Sequence, residues 1–263
     1  MAENTLKKII SNKEKNVAEL KKTIPIESLK TKINEIKNFI NFKEKIQNNI
    51  DNNKISIIAE IKKASPSAGI IIKDYDPVEI AKKYYQNKAT CLSILTEEKF
   101  FQGNLLHISK VKKKINLPVL CKDFFIDPFQ VHLAKSFGAD SVLIILAAVT
   151  EKVAHQLYES ALKLNMSVVI EVHTKNEAKN ALNFNDALIG INNRNLKTLE
   201  TNINTTFDIH DILINHKGPL ISESGIKDKE EILQITKKTK IKTFLIGESL
   251  LNNLDKNSIF SIL

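Results

Sequence analysis

Apolar residues recur in two rhythms along this chain, and the rhythm changes near residue 50. Before that point Leu6, Ile9, Ile10, Val17 and Leu20 stand at helical spacing among lysines and acids, and "IPIESLKTKINEIKNFINFKEKI" repeats the pattern after Pro25. Residues 1–50 are expected to form a helical N-terminal extension that covers one end of the remaining fold. Beyond it, short apolar runs alternate with amphipathic stretches. The runs read as eight strands: "SIIAEIK" (56–62), "ATCLSILT" (89–96), "PVLCKDF" (118–124), "SVLIILAAV" (141–149), "SVVIEVH" (167–173), "DALIGIN" (186–192), "PLISESG" (219–225) and "KTFLIGES" (242–249). Between them "DPVEIAKKYYQN", "DPFQVHLAKSFG", "EKVAHQLYESALKL" and "KDKEEILQITKK" read as helices. Asp76, Asp127 and Thr150 suit helix N-caps, and Pro77 and Pro128 suit first helical positions, where a missing N–H costs nothing.

Strands this uniformly apolar are buried on both faces, which points to a parallel sheet covered by helices. Eight strand–helix units close a (β/α)8 TIM barrel. An open doubly wound sheet would carry a Gly-rich turn after its first strand, and "IKKASPSAG" is not such a turn. The expected fold is α/β, one barrel domain over residues 1–263 with residues 1–50 as its helical extension. The chain ends soon after the last helical stretch, so no second catalytic domain is expected.

Composition changes this picture little. The net charge of +9 raises a nucleic-acid reading, but the lysines are spread along the chain. The densest run, Lys112 to Lys114, falls where a helix is expected to face solvent. Aromatic residues make up 6% and tryptophan is absent, which leaves little for a base-stacking surface. No nucleic-acid partner is expected; the diffuse charge would help to steer an anionic substrate. Cys91 and Cys121 sit in apolar runs and read as buried thiols rather than a disulfide. No Cys/His spacing implies zinc, the longest apolar run is too short to span a membrane, and the N-terminus lacks a signal peptide's apolar core. A cytoplasmic monomer with no membrane partner is expected.

The C-terminal ends of barrel strands carry the chemistry in this fold. The polar residues there are Glu60 and Lys62, Lys122 and Asp123, Glu171 and His173, Asn192 and Arg194, Ser222 to Gly225, then Gly247 and Glu248. Side chains two apart on a strand share a face, so Glu60 points with Lys62, and Asn192 with Arg194. Charge inside otherwise apolar strands is costly to bury without partners. Acids and ammoniums converging from strands one, three and five therefore mark a site. Glycines ending strands seven and eight ahead of helices make an anion nest, which implies a phosphorylated small-molecule substrate. The acids alternate with lysines and no histidine cluster joins them, so no metal is expected.

Taken together, "IAEIKKASPSAG", "SILTEEKFFQG", "LPVLCKDFFIDPFQV", "IEVHT", "LIGINNRNLKTLE", "ISESGI" and "FLIGESLL" resemble the indole-3-glycerol phosphate synthase family. The resemblance runs in order from about residue 50 to the end. It implies a cofactor-free ring closure of an anilino-deoxyribulose phosphate, with loss of carbon dioxide and water. It implies Lys122 as the general acid that protonates the ketone and Glu171 as the acid/base group of the dehydration. Glu60 and Lys62 would orient the substrate and assist proton transfer. Asn192 and Ser224 would hold the reacting part, and Phe101 and Phe124 would flank the anthranilate ring. Ser65, Gly225, Gly247 and the Glu248 backbone would grip the phosphate, with Lys62 shared. Ala68 departs from the family, many of whose members carry lysine there, and Asn195 stands where some carry aspartate. Phosphoribosylanthranilate isomerase and the tryptophan synthase α-subunit, the rival phosphate-binding barrels, use a Cys/Asp or Glu/Asp set rather than two lysines and two glutamates.

For such chemistry Lys122 is expected to have a lowered pKa, pressed by Lys62, and Glu171 a raised one. Arg194 is the only arginine in the chain. Its bidentate fork suits a carboxylate better than lysine does. The candidates are the substrate's ortho-carboxylate and a protein acid, Asp123 or Glu223. The protein acid is favoured, because a tight grip on the leaving carboxylate would oppose decarboxylation. Arg194 and Glu223 are both counted with the substrate-binding set.

Overall fold

The computed structural model describes residues 2–196, 198–254 and 258–263. Eight parallel strands close into a barrel in sequence order. They are β1 (Ser56–Ile61), β2 (Cys91–Leu95), β3 (Val119–Lys122), β4 (Ser141–Ile145), β5 (Ser167–Val172), β6 (Leu188–Asn192), β7 (Leu220–Glu223) and β8 (Thr243–Ile246). All eight lie inside the apolar runs. The fourth run overshoots: after Ile145 the chain tightens into a 3₁₀ turn, Leu146–Ala148.

Three helices precede the barrel: α1 (Ala2–Thr23), α2 (Ile26–Asn34) and α3 (Phe42–Asp51). The outer helices follow the strands: α4 (Pro77–Gln86), α5 (Leu106–Lys112), α6 (Pro128–Ser136), α7 (Glu151–Lys163), α8 (Lys175–Ala181), α9 (Asn204–Leu213), α10 (Lys229–Thr239) and α11 (Glu248–Leu251). The expected caps form. Asp76 accepts from the Val78 and Glu79 N–H groups, Thr150 from Val153, and Asp127 forms a reciprocal capping box with Gln130. Among the described residues no helix is long and apolar enough to cross a membrane.

Alternation along the strands divides the core in two. One face of each strand packs outward against the helices: Ile57, Leu92, Val119, Val142, Val168 and Ile189 are all buried there. The other face points into the barrel, where Ile58, Cys91, Leu120, Leu143, Val169, Leu188, Ile221 and Leu245 form a separate apolar cluster. Both cysteines are free thiols, as expected, and both are buried.

The extension differs from its expected form in two ways. Its second half is not one helix: α2 stops at Asn34, and residues 36–41 are non-helical before Asn41 caps α3 by accepting from the Glu44 N–H. It also serves both ends of the barrel. Phe42 and Ile46 of α3 insert, fully buried, into the inner apolar cluster and close its N-terminal end. Asp140 ties the entry in place, accepting from the Ile40 and Val119 N–H groups and the Lys112 ammonium. Lys112 therefore does not face solvent as its run implied; its side chain is 9% exposed and ion-paired, and only Lys113 and Lys114 point outward. At the other end of the extension, α1 and α2 pack Val17 and Leu29 against Phe129 and Leu133 of α6. Lys13 of α1 reaches Asp123 just beyond β3 at 2.6 Å, with both side chains buried. Thr5, Leu6 and Ile9 consequently stand at the C-terminal mouth.

Candidate active site

One residue pair beyond the inner apolar cluster, the same strand faces carry charge. Lys122 lies at the centre. Its ammonium donates to Glu223 Oε2 at 2.9 Å and stands 3.6 Å from Glu171 and 3.8 Å from Glu60. Glu60 pairs in turn with Lys62 at 2.7 Å. These groups come from β1, β3, β5 and β7, and the three carboxylates are nearly inaccessible to solvent. The strands thus deliver the expected convergence of acids and ammoniums, with Glu223 as the closest acid to Lys122.

Three carboxylates around two ammoniums cannot all be ionised cheaply in a dry site. Burial pushes Glu60 up, but Lys62 and Lys122 outweigh it and hold the carboxyl below its ordinary value. Burial also acts against charge on Glu171, yet Lys122, His173 and Asn192 bring its pKa down. Glu223 goes the other way: deep burial dominates even against Lys122, and its carboxyl is raised towards neutrality. Lys122 loses stability as a cation through burial, but Glu223, Glu171 and Glu60 more than restore it, and its pKa is raised. Two expectations are overturned here. Lys122 is surrounded by acids that raise its pKa rather than pressed by Lys62, and the pKa of Glu171 is lowered rather than raised.

Two glycines make room for this layer. A Cβ at Gly190 would overlap Glu223 Oε1, and one at Gly247 would overlap Glu60 Oε1 and crowd Lys62. Gly190 carries no role in the sequence reading; its place two residues before Asn192, on the inward face, is the signal that marks it.

The wall of the site joins the remaining candidates. Phe101 and Phe124 line the same cavity as Lys122 and form a tilted ring pair, centroids 6.3 Å apart. The buried Glu97 side chain shapes the Phe101 loop by accepting the Lys99, Phe100 and Phe101 N–H groups. Asn192 donates to Glu171 Oε1 at 3.0 Å. Ser65 lies in a short hairpin after β1, accepts from the Ala68 N–H and lines the same cavity as Lys122. Gly225, Gly247 and Glu248 line an adjoining cavity over the ends of β7 and β8, and Lys62, Arg194 and Ser224 border both. Ser224 and Gly225 have φ of 65° and 75°, so the chain turns through left-handed geometry that glycine adopts readily. Glu248 is exposed and opens α11 at the edge of that cavity.

Among the described residues Arg194 holds no protein acid. Asp123 is taken by Lys13 and Glu223 by Lys122. The Arg194 guanidinium donates to the Leu199 carbonyl at 2.7 Å, and its backbone N–H donates to Asn192 Oδ1 at 3.0 Å. It closes the loop after β6 on itself and borders the cavity.

Residues 6–262 match the family model of indole-3-glycerol phosphate synthase. The chain is 40% identical over 260 residues to the indole-3-glycerol phosphate synthase of Prochlorococcus marinus (strain MIT 9515), covering 97% of this chain and 87% of that protein. It is 38% identical over 252 residues to that of Trichodesmium erythraeum (strain IMS101), covering 94% and 84%. Solved structures with a similar backbone include tryptophan synthase subunit alpha from Legionella pneumophila str. Paris, with a TM-score of 0.60, 13% identity and coverage of 84% and 93%. Another is phosphoribosylanthranilate isomerase from Thermotoga maritima, with a TM-score of 0.54, 10% identity and coverage of 78% and 96%. Identities this low show a shared barrel and nothing more. The family model and the relatives agree over nearly the whole chain, and the chain belongs to the indole-3-glycerol phosphate synthase family.

Proposed function

We propose that the charged layer at the barrel mouth closes 1-(2-carboxyphenylamino)-1-deoxyribulose 5-phosphate to indole-3-glycerol phosphate, with Lys122 as general acid and Glu171 as base. The observation that carries this is the Lys122 ammonium held within 4 Å of three carboxylates from three other strands. Those acids keep Lys122 cationic at neutral pH. A raised pKa does not prevent donation, because the alkoxide that forms as the aromatic carbon attacks the ketone is more basic than an amine. The same ammonium stabilises that developing negative charge.

Phe101 and Phe124 flank the anthranilate ring and hold it against the ketone. Carbon dioxide leaves once positive charge has built on the ring nitrogen. Water then leaves from the closed ring: Glu171, ionised, takes the proton, and the departing hydroxyl needs an acid. Two carboxylates with pKa values pushed apart supply such a pair. Glu223, raised by burial and bonded to Lys122, belongs to the donor side. Glu60 and Lys62 orient the sugar chain, and Asn192 and Ser224 hold the reacting part. Ser65, Gly225, Gly247 and the Glu248 backbone grip the phosphate, with Lys62 shared. Arg194 borders both cavities, where its guanidinium meets the substrate's anionic groups.

Indole fluorescence from the synthetic substrate tests this reading. The chain should generate the signal, and Glu171→Gln should slow it about a hundredfold or more by blocking a step after ring closure. No indole product from the intact chain, or an unimpaired Glu171→Gln enzyme, would overturn it.

A further inference from the structure

Glu171 is gripped by a side chain for which the ring closure itself has no use. His173 lies two residues further along β5's course and points the same way, with a side chain only 6% exposed. Its Nε2 stands 3.1 Å from Glu171 Oε1 and its Nδ1 stands 3.2 Å from Glu177 Oε2. Glu177, in the first turn of α8, is itself fixed: it accepts from the His173 N–H at 2.8 Å and from the Thr174 hydroxyl at 3.0 Å. A ring with a carboxylate at each nitrogen is an imidazolium, since either neutral tautomer would set a lone pair against an anion.

The two oxygens of Glu171 are not equivalent. Oε1 accepts the Asn192 amide, and the His173 Nε2 stands against it at 3.1 Å as an ion-pair contact that lacks hydrogen-bond alignment. Oε2 is buried with no hydrogen-bond partner among the described residues and faces Lys122 at 3.6 Å. A buried, unpartnered carboxylate oxygen beside the general acid is positioned for a proton that arrives with the substrate.

We infer that His173, braced by Glu177, is a positioning residue that fixes Glu171 through Oε1 and leaves Oε2 as the oxygen that exchanges the proton. This rests on Glu171 being the base proposed above. The cation also favours the ionised form of Glu171. The charged groups opposing or assisting it are Lys122 from β3, Glu60 from β1 and Glu223 from β7. On the adjacent strands Ile145 and Gly190 are the register partners of Glu171, and Asn192 reaches it with its side-chain amide. His173 also borders a third cavity, shared with Glu177 and Arg194.

The test is the pH dependence of kcat for the intact chain, His173→Gln and Glu177→Gln, with melting curves for each. Removing the cation lets Glu171 keep its proton to higher pH, so the acid limb moves upward. For His173→Gln, kcat should fall about tenfold or more while KM stays within about threefold. Glu177→Gln should move the limb in the same direction by less, and it decides the matter should His173→Gln fail to fold. An acid limb unmoved in the folded variants, whether or not kcat falls, would overturn the inference. Activity lost in Glu171→Gln but an unmoved limb in these variants removes only the His173 role. An intact Glu171→Gln enzyme removes the base assignment beneath it.

Discussion

The two ends of the barrel are built from the same strands by the same alternation, and they differ completely in what the inward side chains are. At the N-terminal end Ile58, Leu120, Val169 and Ile221 interlock around Phe42 and Ile46 from α3. Two residues further along those four strands come Glu60, Lys122, Glu171 and Glu223. The apolar layer is stabilised by burial alone and tolerates no water. The charged layer is costly to assemble, and it persists because each carboxylate has an ammonium, imidazolium or amide close by, with glycines clearing space for Glu223 and Glu60. The lower layer is held by burial, and the chemistry proposed above falls to the next layer up. The rigid lower layer is what holds the upper one to a working geometry.

Substitutions should separate the two layers. Lys122→Ala should lower kcat about a thousandfold while leaving substrate affinity within about tenfold, because the acid is lost but the ring and phosphate contacts remain. Steady-state kinetics checks this, and a near-normal rate removes the general-acid role. Phe42→Ala, at the other end, should lower unfolding free energy by about 3–5 kcal/mol and leave kcat of the folded enzyme unchanged. Denaturant unfolding measures the first and the indole assay the second; a large loss of kcat with little loss of stability would dissolve the division between the layers.

His173 sharpens the comparison through pH. Its pKa is raised from 6.5 to about 9: burial opposes the charge, but Glu171 and Glu177 outweigh it. A group raised on folding stabilises below its unfolded value, and the contribution is lost as pH rises through the folded value. The melting temperature should therefore decline between pH 6.5 and about 9 more steeply in the native chain than in His173→Gln. Parallel curves would show that the ring is not held as a cation. The smallest effect is expected at Arg194. Arg194→Lys keeps the charge but loses the planar fork that holds the Leu199 carbonyl, so KM should rise by about threefold to tenfold with kcat little changed. Unchanged kinetics and stability would leave the lone arginine without a role.

The barrel was legible because its signal is local. Each strand is an apolar run, and each polar residue at its end can be assigned a face by counting in twos, which brings Glu60, Lys122, Glu171 and Asn192 together from the sequence alone. Two-residue counting also reaches His173 and Gly190, but nothing in the chain shows that Glu177 folds back onto one or that Glu223 fills the space above the other. The α3 plug was hidden for a similar reason. Phe42 and Ile46 read as the apolar stripe of any amphipathic helix, and the barrel end they close is assembled from residues more than ten positions away in sequence. Protonation states were misread because they depend on neighbours in space. Sequence places Lys62 near Lys122 as a second cation, whereas the fold turns Lys62 onto Glu60 and surrounds Lys122 with acids.

The most direct measurement is the rate of indole formation at saturating substrate for Lys122→Ala and Phe42→Ala side by side, each well below its own melting temperature. The expected result is a rate lost by about a thousandfold in the first and kept in the second, even though the second is the less stable protein. A Lys122→Ala enzyme that turns over at close to the native rate would contradict the assignment of the chemistry to the charged layer.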